Sequence, residues 1–233
     1  MVKQISYLVN SIGHLFYPHH CAGCGNDVLD DHQLLCLRCL HELPVTHFHQ
    51  QAHNPVEKLF WGRLPITSAF SYLFFTKDSM LQTLLHQLKY KGNKEIGFFL
   101  GQQMGLALQN SSREIVIDAI VPLPLYPSRE KKRGYNQATV ISNGIADILK
   151  VPVLNNIVVR TKSTETQTHK SRVERWQNME GKFLVKDREA ILNKNILLVD
   201  DVITTGATLE ACGQVLLKEG LGALHIGSLA YTL

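Results

Sequence analysis

Two groups of residues in this chain have types and spacings that could do chemistry. The first runs from Ile196 to Thr208, ILLVDDVITTGAT. Ile196 to Val199 are apolar and read as a short buried strand. Asp200 and Asp201 follow, then Thr204, Thr205, Gly206, Ala207 and Thr208. From Leu209 to Glu219 the pattern is helical, and Gly220 stands where a helix stop is expected. A small-residue turn between a strand and a helix N-terminus aims several backbone N–H groups at one point, which suits a phosphate. Gly206 permits positive φ and close approach of a ligand. The hydroxyls of Thr204, Thr205 and Thr208 add donors. The carboxylates would repel a phosphate unless they face another part of the same ligand. A ribose 5-phosphate fits, with its phosphate in the turn and its 2′- and 3′-hydroxyls donating to Asp200 and Asp201. A nucleotide P-loop is excluded, because GxxxxGK[ST] requires a lysine and none lies within 199–217.

The second group is Cys21-Ala-Gly-Cys24 and Cys36-Leu-Arg-Cys39. Paired CxxC knuckles aim four thiolates at one centre and predict a closed, structural Zn²⁺ site. Disulfides fit poorly with a chain in which no secretion signal is read. His19, His20 and His41 flank the knuckles and read as bystanders. The fifth cysteine, Cys212, falls within the helix after the phosphate turn and reads as core.

A third feature is basic. Arg129, Lys131, Lys132 and Arg133 fill the loop between an apolar strand, Ile115 to Val121, and a helix over 137–150. Arginine and lysine are the residue types that hold a phosphate-like anion. A solvated charge run is the competing reading. The polar stretch 160–178 carries Arg160, Arg172 and Arg175 and suits a lid over the same anion. With Tyr135 and Trp176 interleaved, these loops also suit the phosphates and stacked bases of single-stranded DNA.

The elements that must position these groups follow from periodicity. Residues 2–17 predict an amphipathic helix that packs on the rest of the chain and ends at Pro18. Residues 43–66, rich in Pro, His and Asn, read as a linker or irregular connection. Strands are expected at 66–75, 153–159 and 223–230, and helices at 80–88 and 96–108. Lys89, Lys91 and Lys94 cluster between those helices, as a solvated corner or an anion site. The length of 233 residues suits one or two domains, and 45% hydrophobic content is ample for a core. A net charge of +4 does not by itself imply nucleic acid. There is no apolar run long enough for a membrane span, and a cytoplasmic protein is expected.

Ile196 to Thr208 closely resembles the phosphoribosyl-pyrophosphate (PRPP) motif of type I phosphoribosyltransferases. Together with the two CxxC knuckles, the RGYNQ of 133–137 and an RTxxTxxQ segment (Arg160, Thr161, Thr164, Gln167), the chain resembles the ComF/GntX family of competence-associated proteins. The resemblance implies an α/β fold, a type I phosphoribosyltransferase-like parallel sheet flanked by helices, with a small N-terminal four-cysteine zinc module. Residues 1–60 would hold the N-terminal helix, the zinc module and a linker, and 61–233 the phosphoribosyltransferase-like domain. It also implies a role in natural transformation, handling incoming single-stranded DNA in the cytoplasm alongside DNA-uptake proteins. Two functions stay open. One is a PRPP- or DNA-binding component with little turnover. The other is an enzyme that transfers ribose 5-phosphate from PRPP, with Mg²⁺ bridging pyrophosphate and ribose hydroxyls. In that enzyme Asp200 and Asp201 would support the reacting ribose. Arg129, Lys132 and Arg133 would hold the leaving pyrophosphate.

Overall fold

The computed structural model describes residues 20–26, 29, 33–160 and 183–232. The expected N-terminal helix, Arg172, Arg175 and Trp176 lie outside them. Four strands form one parallel sheet in the order β1 (Ser68–Phe75), β6 (Ala223–Thr232), β5 (Asn195–Ile203), β2 (Ala119–Pro122). Leu197 pairs with His225 on one side and Ile120 on the other. Ile196, Leu197, Leu198 and Val199 are each 0% exposed, so both faces of β5 are covered, as a continuous apolar run in a parallel sheet requires.

The covering helices are α3 (Met80–Tyr90), α4 (Lys94–Gln109), α6 (Gln137–Leu149) and α7 (Ala207–Lys218). Helices α4 and α6 meet backbone to backbone. A Cβ added at Gly101 would collide with the Ile141 carbonyl oxygen, and one at Gly144 with that of Phe98. Any side chain there would drive the two helices apart.

Three expectations are corrected. Residues 43–66 are not a loose linker. Helix α2 (Pro55–Lys58) is capped by Asn54, which accepts from Val56 N and Glu57 N. The Asn54 amide also donates to the carbonyls of Phe48, Gln51 and Ala69, tying the segment to β1. Val56 and Phe60 are fully buried beneath it. The basic loop is itself a helix, α5 (Pro127–Arg133). The strand expected at 153–159 is split. Val153 makes one parallel bridge to Ile120, while β3 (Val158–Arg160) pairs antiparallel with β4 (Phe183–Val185) in a separate ribbon.

The cysteine segment is built into this core. Cys36 caps α1 (Leu37–His41), and Cys21, Cys36 and Cys39 belong to the same buried cluster as the sheet and its helices. Gln87 of α3 donates to the Ala22 carbonyl at 2.8 Å, and a Cβ at Gly23 would lie 2.8 Å from Met80 Sδ. The first knuckle therefore rests directly on α3.

Candidate functional site

Asp200 and Asp201 sit near the carboxyl end of β5, where Asp200 lies opposite Ser228 of β6. Ligands of open parallel sheets bind at that end. The Asp201 N–H donates to Asp200 Oδ1 at 2.8 Å. Lys89 Nζ, from the last turn of α3, lies 2.8 Å from Asp201 Oδ2, and the two side chains are only 21% and 16% exposed. Burial pushes the Asp200 carboxyl up to about 8, and the neighbouring Asp201 charge adds to it. The Asp201 N–H and Lys89 pull the other way.

A raised folded-state pKa in an acid means that the fold holds the proton more tightly than the unfolded chain. The associated stability is complete below the unfolded value, near 4, and is lost as pH rises through about 8. Asp200→Asn is therefore expected to melt several degrees above the wild type at pH 9, at roughly 2–4 °C per kcal/mol. Near pH 4 the gap should close. Thermal melts of both proteins at the two pH values measure this, and an equal gap at both would refute the assignment.

After β5 the chain turns sharply. Thr204 and Thr205 are exposed and Gly206 is buried, with φ +73. Helix α7 begins at Ala207, and its Glu210 N–H bonds back to the Gly206 carbonyl at 2.9 Å. The first-turn amides ahead of that bond are the ones a helix leaves for an anion. Arg63 reaches the outside of this turn, bonding the Thr205 carbonyl at 3.5 Å and pairing with Glu210.

A cavity of about 500 Å³ is lined by Lys89, Tyr90, Arg129, Lys132 and Arg133, and Lys89 links it to Asp201. Its position follows from the RGYNQ segment. Gly134 ends α5 in the left-handed conformation. The Tyr135 hydroxyl donates to the Leu88 carbonyl. Asn136 caps α6 by accepting from Ala138 N and donates to the Leu123 carbonyl just past β2. Three basic residues of α5 are thus held against the end of α3. Tyr135 is part of this frame, half-buried with Lys94 Nζ 4.9 Å from its ring centroid. The exposed aromatic ring at the cavity is Tyr90, 62% exposed.

Arg160 is placed apart from the cavity, with its guanidinium 3.6 Å from the Tyr126 ring centroid and 5.3 Å from that of Phe183. A larger cavity of about 780 Å³ runs between residues 62–65 and the outer side of α7. It is lined by Ala207 at the start of α7 but not by the basic residues of α5, whereas the smaller cavity is tied to the acids through Lys89. Lys89, expected with Lys91 and Lys94 at a solvated corner or an anion site, pairs with Asp201. A signal was present: Lys89 follows Leu88 and lies four residues after Leu85, both buried, at the edge of the apolar stripe of α3.

The ligating sulfur atoms of Cys21, Cys24, Cys36 and Cys39 all lie within 4.8 Å of one another. Tetrahedral Zn–S bonds of about 2.3 Å would place them roughly 3.8 Å apart, and Cys24 Sγ and Cys36 Sγ are 4.0 Å apart. Backbone N–H groups already face the sulfurs, Cys36 N to Cys21 Sγ at 3.3 Å and Cys39 N to Cys36 Sγ at 3.4 Å. Burial raises the Cys21 thiol, but N–H groups of Cys24, Cys36 and Gly23 outweigh it and bring it down to about 6. Burial, followed by the neighbouring thiols, pushes Cys39 up. The donor set fits a thiophilic metal whose binding expels the remaining protons. Cys212 is fully buried in α7 and plays no part in it.

A phosphoribosyl transferase domain model matches residues 135–232. Competence protein F of Haemophilus influenzae is 31% identical over 215 residues, spanning 91% of this chain and 84% of that protein. The chain belongs to the competence protein F family. DNA utilization protein YhgH of Escherichia coli K12, another relative, is 29% identical over 91% of this chain and 90% of its own. Competence protein ComFC of Bacillus subtilis is 31% identical over 64% of this chain and 58% of its own. The chain's fold is a phosphoribosyltransferase-type parallel sheet flanked by helices, with an N-terminal cysteine cluster able to hold a metal. The domain match contains the acids and the turn after β5 but begins after Lys89 and α5. Among the described residues no helix is long and apolar enough to cross a membrane.

Proposed function

We propose that this competence-family protein binds PRPP, or a ribose 5-phosphate, at the end of β5 and acts on single-stranded DNA during its uptake or use. The 5-phosphate would take the turn from Thr204 to Thr208. The ribose hydroxyls would take Asp200 and Asp201, and the pyrophosphate would take Arg129, Lys132 and Arg133. The observation that carries this reading is the joining of an acidic pair to a basic cavity by one ion pair, Lys89 to Asp201. A ligand with neighbouring hydroxyl and polyanionic ends matches that layout. The relatives' names, competence and DNA utilization, support the DNA role. The four cysteines would hold one structural zinc.

The carboxylates are hard oxygen donors of the kind a magnesium–PRPP complex meets. Magnesium bound with PRPP would neutralise charge on the departing pyrophosphate. The chain's own part is to hold the ribose through Asp200 and Asp201, with the Asp201 carboxylate favouring a positively charged C1′. The guanidinium and ammonium groups of α5 hold the leaving group. The test is pyrophosphate release from PRPP and Mg²⁺ across a panel of bases and amines, beside calorimetric binding of PRPP. Binding with release makes the protein a transferase. Binding without release makes it a PRPP-responsive component of DNA handling. Absence of binding removes the reading.

A further inference from the structure

Three consecutive residues of α3 reach three different parts of the molecule. Gln87 donates to the Ala22 carbonyl in the first cysteine knuckle at 2.8 Å. The Leu88 carbonyl accepts from the Tyr135 hydroxyl. Lys89 Nζ pairs with Asp201 at 2.8 Å while its side chain lines the basic cavity with Arg129, Lys132 and Arg133. The backbone of Lys89 is thus held from two sides, and its side chain touches both the acidic and the basic halves of the site. A lysine is a point charge on a flexible four-carbon stem, able to change partner without backbone movement.

We propose that Lys89 is a two-position counter-ion: it neutralises Asp201 until ribose hydroxyls take that carboxylate, and then turns into the basic cavity to meet the ligand's pyrophosphate. This rests on the ribosyl reading above and assigns a residue outside its motif. In this arrangement a bare ribose 5-phosphate must break the ion pair and leaves Lys89 without a new partner. Pyrophosphate alone offers Lys89 a partner but strands Asp201. PRPP compensates both, so the exchange selects the intact ligand over either fragment.

The test is calorimetry with ribose 5-phosphate, inorganic pyrophosphate and PRPP, each with Mg²⁺, on wild type, Lys89→Gln and Lys89→Arg. Lys89→Gln is expected to weaken pyrophosphate and PRPP by about 10- to 150-fold, the worth of one charge-assisted contact. It should leave ribose 5-phosphate unchanged or tighter, because no ion pair has to break. Lys89→Arg should retain most of the affinity for pyrophosphate. Equal weakening of all three ligands by Lys89→Gln would make the residue merely structural and overturn the proposal. So would unchanged PRPP binding in Lys89→Gln, with the ribosyl reading intact. If wild type binds none of the three, the ribosyl reading itself fails and the proposal fails with it.

Discussion

Cys36→Ser is expected to release the bound metal and to loosen the α3 end of the larger domain as well as the cysteine segment. Cys36 is 7% exposed and caps α1 by accepting from Cys39 N. Its own N–H donates to Cys21 Sγ. A serine hydroxyl can still cap α1 and the backbone N–H of residue 36 is unchanged, but a hydroxyl is a poor ligand for a thiophilic metal, so the loss falls on the metal site. For small zinc modules the metal binding free energy, apparently about 10–16 kcal/mol, is also folding free energy. Here the module shares a core with the domain it precedes, so its loss exposes Met80 and frees Gln87. Metal content should fall from one metal per chain to well below it, and the melting temperature should drop. Proteolysis should cut first in residues 20–43. PRPP affinity should fall too, because Lys89 loses one of the anchors of its helix. Retention of one metal per chain by Cys36→Ser would refute the four-cysteine site. Metal loss with an unchanged melt would refute the coupling to α3.

That coupling was hidden from the sequence for a physical reason. The knuckles, the turn after β5 and the RGYNQ segment are local patterns, in which residues a few positions apart meet the same ligand or cap the same helix. Local spacing is legible. Contacts such as Gln87 with Ala22, Lys89 with Asp201 or Asn54 with the Ala69 carbonyl join residues far apart in the chain, and no period announces them. Composition also misled where it stood in for pattern. Residues 43–66 contain enough Pro, His and Asn to read as a linker, yet Asn54 at a cap and Pro55 at the first helical position are start signals. The charge run at 127–133 likewise begins with Pro127, carries Glu130 in its first turn and ends in Lys131, Lys132 and Arg133. That order matches the helix dipole. The acids themselves gave no hint of their unequal surroundings, since the proximity of Lys89 to Asp201 depends on how α3 packs beside β5.

Gly206→Val is expected to abolish measurable PRPP binding, a loss of more than about 100-fold, while leaving one metal per chain. Two independent obstacles meet at this position. The backbone φ is +73, a region that β-branched residues resist and whose strain costs about 1–3 kcal/mol. A Cβ there would also lie 3.0 Å from both Cε1 and Cζ of Phe60. Phe60 is fully buried and cannot retreat without disturbing the segment that Asn54 pins to β1. The turn would therefore shift outward and take with it the first-turn amides of α7. Those amides are the proposed phosphate donors, and an anion site fails when its donors move by about an ångström. Gly206→Ala carries the same backbone strain and the same Cβ, without the branch, so its loss should be smaller but of the same sign. The cysteine cluster rests on α3 and not on this turn, so metal content serves as the internal control for folding. Calorimetry with PRPP and Mg²⁺ decides the matter. Equal affinity in wild type and Gly206→Val would mean that the turn after β5 does not hold the phosphate, and the ligand would have to be sought in the basic cavity alone.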